Sequence, residues 1–420
     1  MYPPMSDPTR ETAFDLLTAV IERGRPLEEA LSALPALEPR DRSAAHRLAA
    51  AVLRRAGTLD AVLEPYLRKE PPVPVRNVLR IGAAGLLLLD TPGHAAVATA
   101  VALTRARGLA PFSGLTNAVL RKVASHGAAA LAELDSPRLD TPPWLWSSWG
   151  SHARAIALAH QQEAPLDLTR RAPGPMGTPV PPGAELLPTG SVRFPAGTRV
   201  ADIEGFEEGL LWVQDAAAAL PALLLNARPH ETVADLCAAP GGKTGQLAAT
   251  GATVTALERD PARLERLAGN IARWGLTAEL IQADATQWTP PNLFDAILLD
   301  APCSATGTIR RHPDVPHLKR AQDVRTLAGA QDKLLAAAAA MLKPGGRLIY
   351  AVCSLQPEEG APRIAAAIGQ HGLRAAPFTA AELPGLPEAI TAEGHLRTHP
   401  ALWPDRGGMD GFFAARLIKS

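Results

Sequence analysis

The chain has 420 residues, of which 47% are hydrophobic and 20% charged, and its 42 basic side chains balance 42 acidic ones. This composition is typical of a globular protein of two or three domains, and its longest apolar runs are too short to span a bilayer. A net charge of zero neither indicates nor excludes nucleic-acid binding, which depends on local patches. Three widely separated cysteines provide no disulfide framework and no metal-ligand spacing, so we expect a reducing, cytoplasmic setting and no bound metal. The first residues, Met1–Pro8, lack the basic start and apolar stretch of a signal peptide.

Residues 8 to about 130 predict a compact bundle of short helices, because apolar residues recur there at intervals of three and four. Breaks rich in Gly and Pro separate these segments. The composition then changes, and the stretch Arg171–Pro182 is expected to form a loop. We therefore predict an all-α bundle over 1–133, a linker with a small α+β subdomain over 134–220, and an α/β domain over 221–420.

From about residue 230 the pattern alternates between apolar runs and amphipathic segments, which predicts a doubly wound, mostly parallel sheet with helices on both faces. A last apolar run, Gly411–Ile418, predicts a closing strand. The predicted strands are Thr232–Cys237, Thr253–Leu257, Ala278–Gln282, Asp295–Leu299 and Arg347–Val352, and the predicted helices are Thr244–Thr250, Pro261–Trp274 and Ala321–Leu342.

The first predicted strand runs into the glycine-rich segment Asp235-Leu-Cys-Ala-Ala-Pro-Gly-Gly-Lys-Thr244 before a helix. Glycines in this place let the backbone approach a ligand at the helix N-terminus. A phosphate-binding P-loop is the rival interpretation, but Cys237 occupies the position of its first glycine. Glu258 ends the next strand, where a carboxylate suits the ribose hydroxyls of a nucleoside cofactor. Asp284, after the third strand, either faces the adenine of that cofactor or caps a helix.

The two remaining cysteines follow two neighbouring strands of the predicted sheet. Cys303 lies in Asp300-Ala-Pro-Cys-Ser-Ala-Thr-Gly307, and Cys353 follows Tyr350-Ala-Val. Free cysteine is most often a small core residue, yet two of them at adjacent strand ends favour a shared chemical role. A basic segment beginning at Arg310 comes soon after Cys303, and is either a nucleic-acid contact or simply a solvated loop.

A thiolate beside a nucleoside cofactor suits methylation at C5 of cytosine. Addition of the thiolate to C6 makes C5 nucleophilic, and loss of the C5 proton then allows the thiol to be eliminated. The reaction requires a thiol of lowered pKa or a nearby base, and a donor at N3 that a protonated Asp300 could provide. Methylation of an exocyclic amine favours an Asn/Asp-Pro-Pro-Tyr/Phe sequence without a thiol, so Ala301-Pro-Cys303 argues against it.

These motifs together resemble the Fmu/Sun family of RNA cytosine-C5 methyltransferases, which use S-adenosylmethionine. Further resemblance lies in Val213-Gln-Asp-Ala-Ala-Ala218, in Cys353-Ser-Leu-Gln-Pro-Glu-Glu359 and in Asp410–Lys419. The resemblance implies a Rossmann-like methyltransferase domain in which Cys353 is the nucleophile and Cys303 assists release of the product. Two positions depart from the family pattern: Val352 replaces a usual Thr, and Gly360 replaces a frequent Asn.

The resemblance also implies a set of ligand contacts. Asp300 would lie between cofactor and base, and would act both in catalysis and in cofactor binding. The implied cofactor-binding residues are Cys237, Ala238, Ala239, Pro240, Gly241, Gly242, Lys243, Glu258, Asp284 and Asp300. The candidate RNA-binding residues are Lys243, Arg310, Arg311, His312, Arg40, Arg42, Arg121 and Lys122.

The N-terminal bundle resembles the RNA-binding antitermination factor NusB, on the strength of Arg40-Asp-Arg42, Ala50-Val-Leu-Arg54 and Asn117–Lys122. The segments Pro92–Val97 and Ile309–Asp314 also resemble the family. Together with the NusB-like bundle, they narrow the resemblance to members that methylate a cytosine of 16S ribosomal RNA, at position 967. The implied partner is 16S RNA, free or in a small-subunit assembly intermediate, and we expect a monomer that does not bind membranes. Methylation of another rRNA or of tRNA stays open, as does a decayed, non-catalytic assembly factor.

Overall fold

The computed structural model describes residues 7–35, 37–172 and 177–420. Part of the segment used for the signal-peptide prediction, and residues 173–176 of the predicted loop Arg171–Pro182, lie outside the described residues. The chain forms two compact units, one comprising Met1–Gln162 with Ile309–Arg320 and the other comprising Glu163–Thr308 with Ala321–Ser420. Among the described residues, no helix combines the length and the apolar character needed to cross a membrane.

The first unit is a helical bundle. Its core forms where small and branched apolar residues repeat at helical spacing, as with Ala45, Leu48, Ala49 and Val52, all buried. The helices are α1 (Pro8–Ile21), α2 (Leu27–Ser32), α3 (Pro39–Arg54), α4 (Ala56–Leu63), α5 (Val73–Leu87), α6 (Gly93–Ala106), α7 (Ser113–Glu133), α8 (Ser136–Leu139), α9 (Pro143–Trp149), α10 (Ala153–His160) and α14 (Val315–Leu318).

The boundary of this unit differs from the predicted division of the chain. Helices α8 to α10, which we assigned to the linker region, lie in the helical unit, and so does the distant segment Ile309–Arg320. That segment is held by named contacts: the carboxylate of Asp314 accepts a hydrogen bond from the backbone N–H of Leu27 at 2.9 Å, and Arg54 donates to the carbonyl of Arg310 at 3.1 Å. These contacts join residues more than 250 positions apart, so no local pattern could reveal them.

The second unit contains two sheets and the remaining helices. The smaller sheet is antiparallel, with the order β2-β3-β1-β4, and a buried ion pair between Asp167 and Arg193 stabilises it with N–O distances of 2.6 and 2.7 Å. Its strands are β1 (Leu166–Arg170), β2 (Glu185–Leu186), β3 (Val192–Phe194) and β4 (Leu211–Val213). The helices of this unit are α11 (Ala216–Leu225), α12 (Gly242–Ala249), α13 (Pro261–Arg273), α15 (Ala321–Ala340) and α16 (Ala361–Gln370).

The larger sheet confirms the predicted α/β fold. Its order is β10-β12-β9-β8-β5-β6-β7, with β11 paired to β12; strands β5 to β9 run parallel, and β12 pairs antiparallel with β9. Parallel strands end at one edge, so residues that follow β5, β6, β7, β8 and β9 share that edge. The strands are β5 (Thr232–Leu236), β6 (Thr253–Glu258), β7 (Glu279–Gln282), β8 (Phe294–Asp300), β9 (Leu342–Val352), β10 (Leu373–Ala375), β11 (Leu396–Arg397) and β12 (Phe413–Lys419).

Candidate active site

The thiols of Cys303 and Cys353 meet at the carboxyl edge of the large sheet. Strands β8 and β9 are neighbours in parallel register, with Asp300 opposite Ala351, so their two tips leave the sheet side by side. The Sγ atoms lie 3.4 Å apart, within hydrogen-bonding distance for two sulfur groups. The structure therefore places the two cysteines together, as predicted from their positions after adjacent strands.

Backbone contacts hold these two tips against each other. The N–H of Gly307 donates to the carbonyl of Cys353 at 3.1 Å, and the N–H of Gly411 donates to the carbonyl of Gly307 at 2.8 Å. A Cβ atom at Gly307 would lie 1.8 Å from the carbonyl oxygen of Gly411. Only glycine permits this close approach, which explains the glycine that ends the motif around Cys303.

The electrostatic surroundings of Cys303 and Cys237 both disfavour the thiolate. The hydrogen bond with Cys353 raises the pKa of the Cys303 thiol well above its usual value, and burial and the charges of Cys353 and Glu359 act in the same direction. Burial raises the pKa of Cys237 to about 12, helped by the negative charges of Asp300 and Glu258. Cys303 and Cys237 therefore stay protonated near neutral pH, so neither supplies a thiolate there.

Lys243 pairs with Asp300 beside these thiols, at a distance of 2.7 Å between Nζ and Oδ2. Burial lowers the pKa of Lys243, but the charge of Asp300, its hydrogen bond and the charge of Cys353 outweigh burial and raise the pKa overall. The ammonium also lies 5.3 Å from the centre of the Phe412 ring. Sequence reasoning named both Lys243 and Asp300, yet it did not predict that they form an ion pair.

The glycine-rich loop between β5 and α12 has two residues in the left-handed region of backbone conformation. Gly241 has a φ of 107°, which disfavours other residues, and Cys237 adopts a φ of 62°. Helix α13 holds the loop carbonyls, since Arg263 donates to Ala239 at 2.8 Å and Asn270 donates to Pro240 at 2.9 Å. Ala238 is buried with Ala239, whereas Pro240 is exposed at the edge of the sheet.

Buried acceptors beside this loop remain open for a ligand. Glu258 is 4% exposed, and its Oε1 accepts from the N–H of Asp260. Its Oε2 has no hydrogen-bond partner among the described residues and forms a 3.5 Å ion pair with Arg263. A carboxylate oxygen that accepts no hydrogen bond at this edge suits the ribose hydroxyls of S-adenosylmethionine. Asp284 is more exposed; its Oδ1 accepts from Thr286 and so closes a local turn, while its Oδ2 lies 3.9 Å from the guanidinium of Arg259. These residues fit the predicted nucleoside cofactor.

The candidate RNA contacts of the helical unit are presented unequally. Arg40, Arg121 and Lys122 are exposed, whereas Arg42 is half-buried and donates to the carbonyl of Leu31 at 2.8 Å. Arg42 and His312 both act on Glu28: a hydrogen bond from His46 lowers the pKa of Glu28 against the effect of burial, and the charges of His46, His312 and Arg42 lower it further.

The burial of Arg310 contradicts the expectation that this residue contacts RNA. Its side chain is 2% exposed, so it is buried inside the helical unit and is not available to a phosphate. Arg311 and His312 are half-buried. Basic residues in a loop were expected to face solvent, but this segment packs against the bundle instead.

Comparison with known proteins agrees with this geometry. The family described as 16S rRNA methyltransferase RsmB/F matches residues 222–418, and the NusB family matches residues 7–125. Ribosomal RNA small subunit methyltransferase B of Xanthomonas campestris pv. campestris is 36% identical, covering 98% of this chain and 97% of that protein. The protein of the same name from Sodalis glossinidius is 35% identical, with the same coverage. The chain belongs to the RsmB/F family of 16S rRNA methyltransferases. Family membership confirms the predicted enzyme class, an S-adenosylmethionine-dependent RNA methyltransferase.

Solved structures show the same fold. The crystal structure of PH0851 covers 99% of this chain and 99% of its own, with a TM-score of 0.77 at 23% identity. A methyltransferase homolog protein from Pyrococcus horikoshii covers 69% of this chain and 96% of its own, with a TM-score of 0.54 at 26% identity. The predicted combination of a NusB-like bundle and a Rossmann-like methyltransferase domain is confirmed.

Proposed function

We propose that this enzyme methylates C5 of one cytosine of 16S rRNA, cytosine 967, through a covalent bond between the sulfur of Cys353 and C6 of the base. The observation that carries the proposal is the 3.4 Å contact between the Cys303 and Cys353 thiols beside the Lys243 ammonium. The relatives named as small-subunit rRNA methyltransferases support the class of RNA, and cytoplasmic ribosome assembly is where such a substrate occurs.

Each residue at the edge has a chemical task in this proposal. The thiolate of Cys353 adds to C6, and the positive charge of Lys243 stabilises that thiolate. Bound S-adenosylmethionine supplies an electrophilic methyl group, toward which Asp300 and Lys243 orient the activated base. C5 of the adduct takes that methyl group, and the cofactor leaves as the thioether S-adenosylhomocysteine. Water then accepts the C5 proton, and the electrons of the C5–H bond form the C5–C6 double bond as the bond between C6 and the sulfur breaks. Cys303, still protonated, donates a hydrogen bond to the departing sulfur and so favours its release as a thiolate.

The ion pair changes which group we assign to N3 of the base. A protonated Asp300 was one candidate donor, but its Oδ2 accepts from the Lys243 ammonium. An ammonium has three donors, so Lys243 can keep this bond and still donate to the cytosine. We therefore propose Lys243 as the donor and Asp300 as the residue that orients it.

Bisulfite sequencing of 16S rRNA tests the proposal directly. We expect cytosine 967 to resist conversion in cells that carry the gene and to convert in cells that lack it. Parent enzyme should restore resistance, and Cys353→Ala should not. A difference at another rRNA position or in tRNA would contradict the assigned site while retaining the reaction. No difference at any cytosine would favour a non-catalytic assembly factor.

A further inference from the structure

A buried carboxylate lies directly behind both cysteine tips. Glu359 is 0% exposed, and its side chain accepts hydrogen bonds from the hydroxyls of Ser304 and Ser354, the residues that follow the two thiols. It also accepts from the backbone N–H of Ser304 and from the side-chain amide of Gln331, both at 2.9 Å. One carboxylate thus receives donors from both tips and from helix α15.

The Cys303 tip is held on both sides of its thiol. Ser304 is bound to Glu359 through its N–H and its hydroxyl. On the other side, Gln331 donates to the carbonyl of Pro302 at 3.0 Å while it donates to Glu359. The backbone that carries the Cys303 sulfur therefore has little freedom to turn.

The Cys353 tip is tied to the same group. The hydroxyl of Ser354 donates to Glu359, and Arg397 donates to the carbonyl of Ser354 at 2.7 Å. Within β9, the hydroxyl of Tyr350 donates to the backbone carbonyl of Glu359 at 2.8 Å. Strand, tip and carboxylate therefore form one bonded unit.

The presence of a carboxylate at position 359, and not an amide, indicates what the site requires. A carboxylate offers two oxygens with about four acceptor sites, whereas an amide offers one oxygen and would turn an NH₂ group toward other donors. Burying an ionised carboxylate is costly unless hydrogen bonds compensate for its lost hydration. A hydrogen-bonding residue needed only for stability would gain nothing from a buried negative charge. The site therefore requires the number of acceptor positions that a carboxylate provides.

We propose that Glu359 is a positioning residue that holds the Cys303 and Cys353 sulfurs in contact by binding Ser304 and Ser354 at once. The strand ladder between β8 and β9 ends at Asp300 and Ala351, and beyond it the bonds of Glu359 act together with backbone bonds and with contacts among the tip hydroxyls. The hydroxyls of Ser304 and Ser354 lie 3.0 Å apart, and Thr306 accepts from the N–H of Leu355 at 3.0 Å. The role of the held thiols rests on the covalent mechanism proposed above, but their geometry does not.

Phenylarsine oxide tests the geometry without reference to activity. Its arsenic binds two neighbouring sulfurs and releases one water, so tight binding requires both thiols at close distance. We expect the intact protein to bind one equivalent tightly and Cys303→Ala to bind weakly. Glu359→Gln should lose about tenfold or more in affinity for the reagent, and kcat should fall by about 100-fold, the scale of a displacement near 1 Å. The KM for RNA and the Kd for S-adenosylmethionine should stay within about twofold.

Asp167→Asn is the matched control, because Asp167 is a second buried carboxylate in a hydrogen-bonded cluster of the small sheet. It should lower stability and leave binding of the arsenical unchanged. Parent-like binding by Glu359→Gln, or an equal loss in Asp167→Asn, would overturn the proposal. If the parent bound the arsenical but formed no covalent RNA adduct, the proposed mechanism would fail while the positioning role survived.

A second set of variants covers the case in which Glu359→Gln does not fold. Ser304→Ala and Ser354→Ala each remove one hydroxyl and should each weaken arsenical binding. Groups that act as a unit are not additive, so Ser304→Ala combined with Ser354→Ala should differ from the sum of the two single effects. Independent, additive effects, or no effect of either, would contradict a shared tie through Glu359.

Discussion

Buried carboxylates on the two halves of the active edge, Asp235 and Glu258 on one and Glu359 on the other, are bonded in opposite ways. On the cofactor side, buried acceptors are left open: within the part of the chain that the structure describes, Oδ1 of Asp235 and Oε2 of Glu258 have no hydrogen-bond partner. On the thiol side, the equally buried carboxylate of Glu359 accepts from both neighbouring serines. Buried polar atoms without partners are costly, so open acceptors indicate where a ligand completes the site. Saturated acceptors indicate where the protein fixes the geometry by itself.

Replacing the two cysteines should give the largest effects and tests the thiol side. Cys353→Ala should abolish both methyl transfer and the covalent RNA adduct, because no other thiolate is available. Cys303→Ala should instead accumulate adduct, because addition proceeds while release of the sulfur loses its hydrogen-bond donor. A denaturing gel with labelled RNA distinguishes the two variants. Adduct in Cys353→Ala and none in Cys303→Ala would reverse the assignment.

The free energy of unfolding should depend on pH through Asp235, which lies on the cofactor side of the site. Burial raises its pKa to about 7, above the ordinary value of 3.8 that applies to the unfolded chain. Between these values the folded protein keeps a proton that the unfolded chain has lost, so stability falls as pH rises, by up to about 1.4 kcal/mol per pH unit. Asp235→Asn should remove this contribution.

Urea unfolding of parent and Asp235→Asn from pH 4 to pH 7.5 measures that contribution. The difference between their free energies of unfolding should change across the window and level off above pH 7. A difference that is constant with pH would show that Asp235 has an ordinary pKa, and hence that this acceptor is not shielded as the structure indicates.

Loss of the buried Glu258 carboxylate should weaken cofactor binding more than loss of the more exposed Asp284 carboxylate. Glu258→Ala should weaken binding of S-adenosylmethionine by roughly 1–3 kcal/mol, the scale of a hydrogen bond to a charged group. Asp284→Ala should cost less, since its side chain is 31% exposed and already bonded to Thr286. Calorimetry gives both values, with RNA affinity as the quantity that should not change. An unaltered Kd in Glu258→Ala would remove it from the site.

The smallest effects are expected from substitutions in the helical unit. Replacing Arg40, Arg121 and Lys122 with Ala should weaken RNA binding and reduce the slope of log affinity against log salt by about one or less for each phosphate that is no longer neutralised. Arg42 is omitted because its bond to Leu31 makes it a structural residue as well. Three exposed cations of the second unit, Arg325, Lys333 and Arg374, provide a charge-matched control set.

The RNA affinity of both sets of variants is measured across a series of salt concentrations. If the first set matched the parent in affinity and slope, its charges would merely solvate the bundle. If both sets bound RNA equally weakly, the effect would come from net charge and would not locate an RNA-binding surface.

Much of the fold could be predicted from the sequence because its signals are local. Alternation of apolar runs and amphipathic segments placed β5, β6 and α13 within a residue of their observed ends. The small sheet was harder, since β2 to β4 span only two or three residues each, too few to show a period. The segment Ile309–Arg320 falls within the predicted α/β domain 221–420, and only packing places it in the helical unit.

The sequence by itself determined the chemistry of the site: two thiols after adjacent strands, a glycine-rich loop and an acidic residue after the next strand meet wherever a parallel sheet forms. Tertiary structure decided what those groups bond to. It paired Lys243 with Asp300 across 57 positions and bound Ser304 to Glu359 across 55. It also buried Arg310, which its sequence neighbours suggested would be exposed. The physical reason is that partners and burial depend on strand register and on surfaces brought together from distant parts of the chain, and no local pattern encodes either.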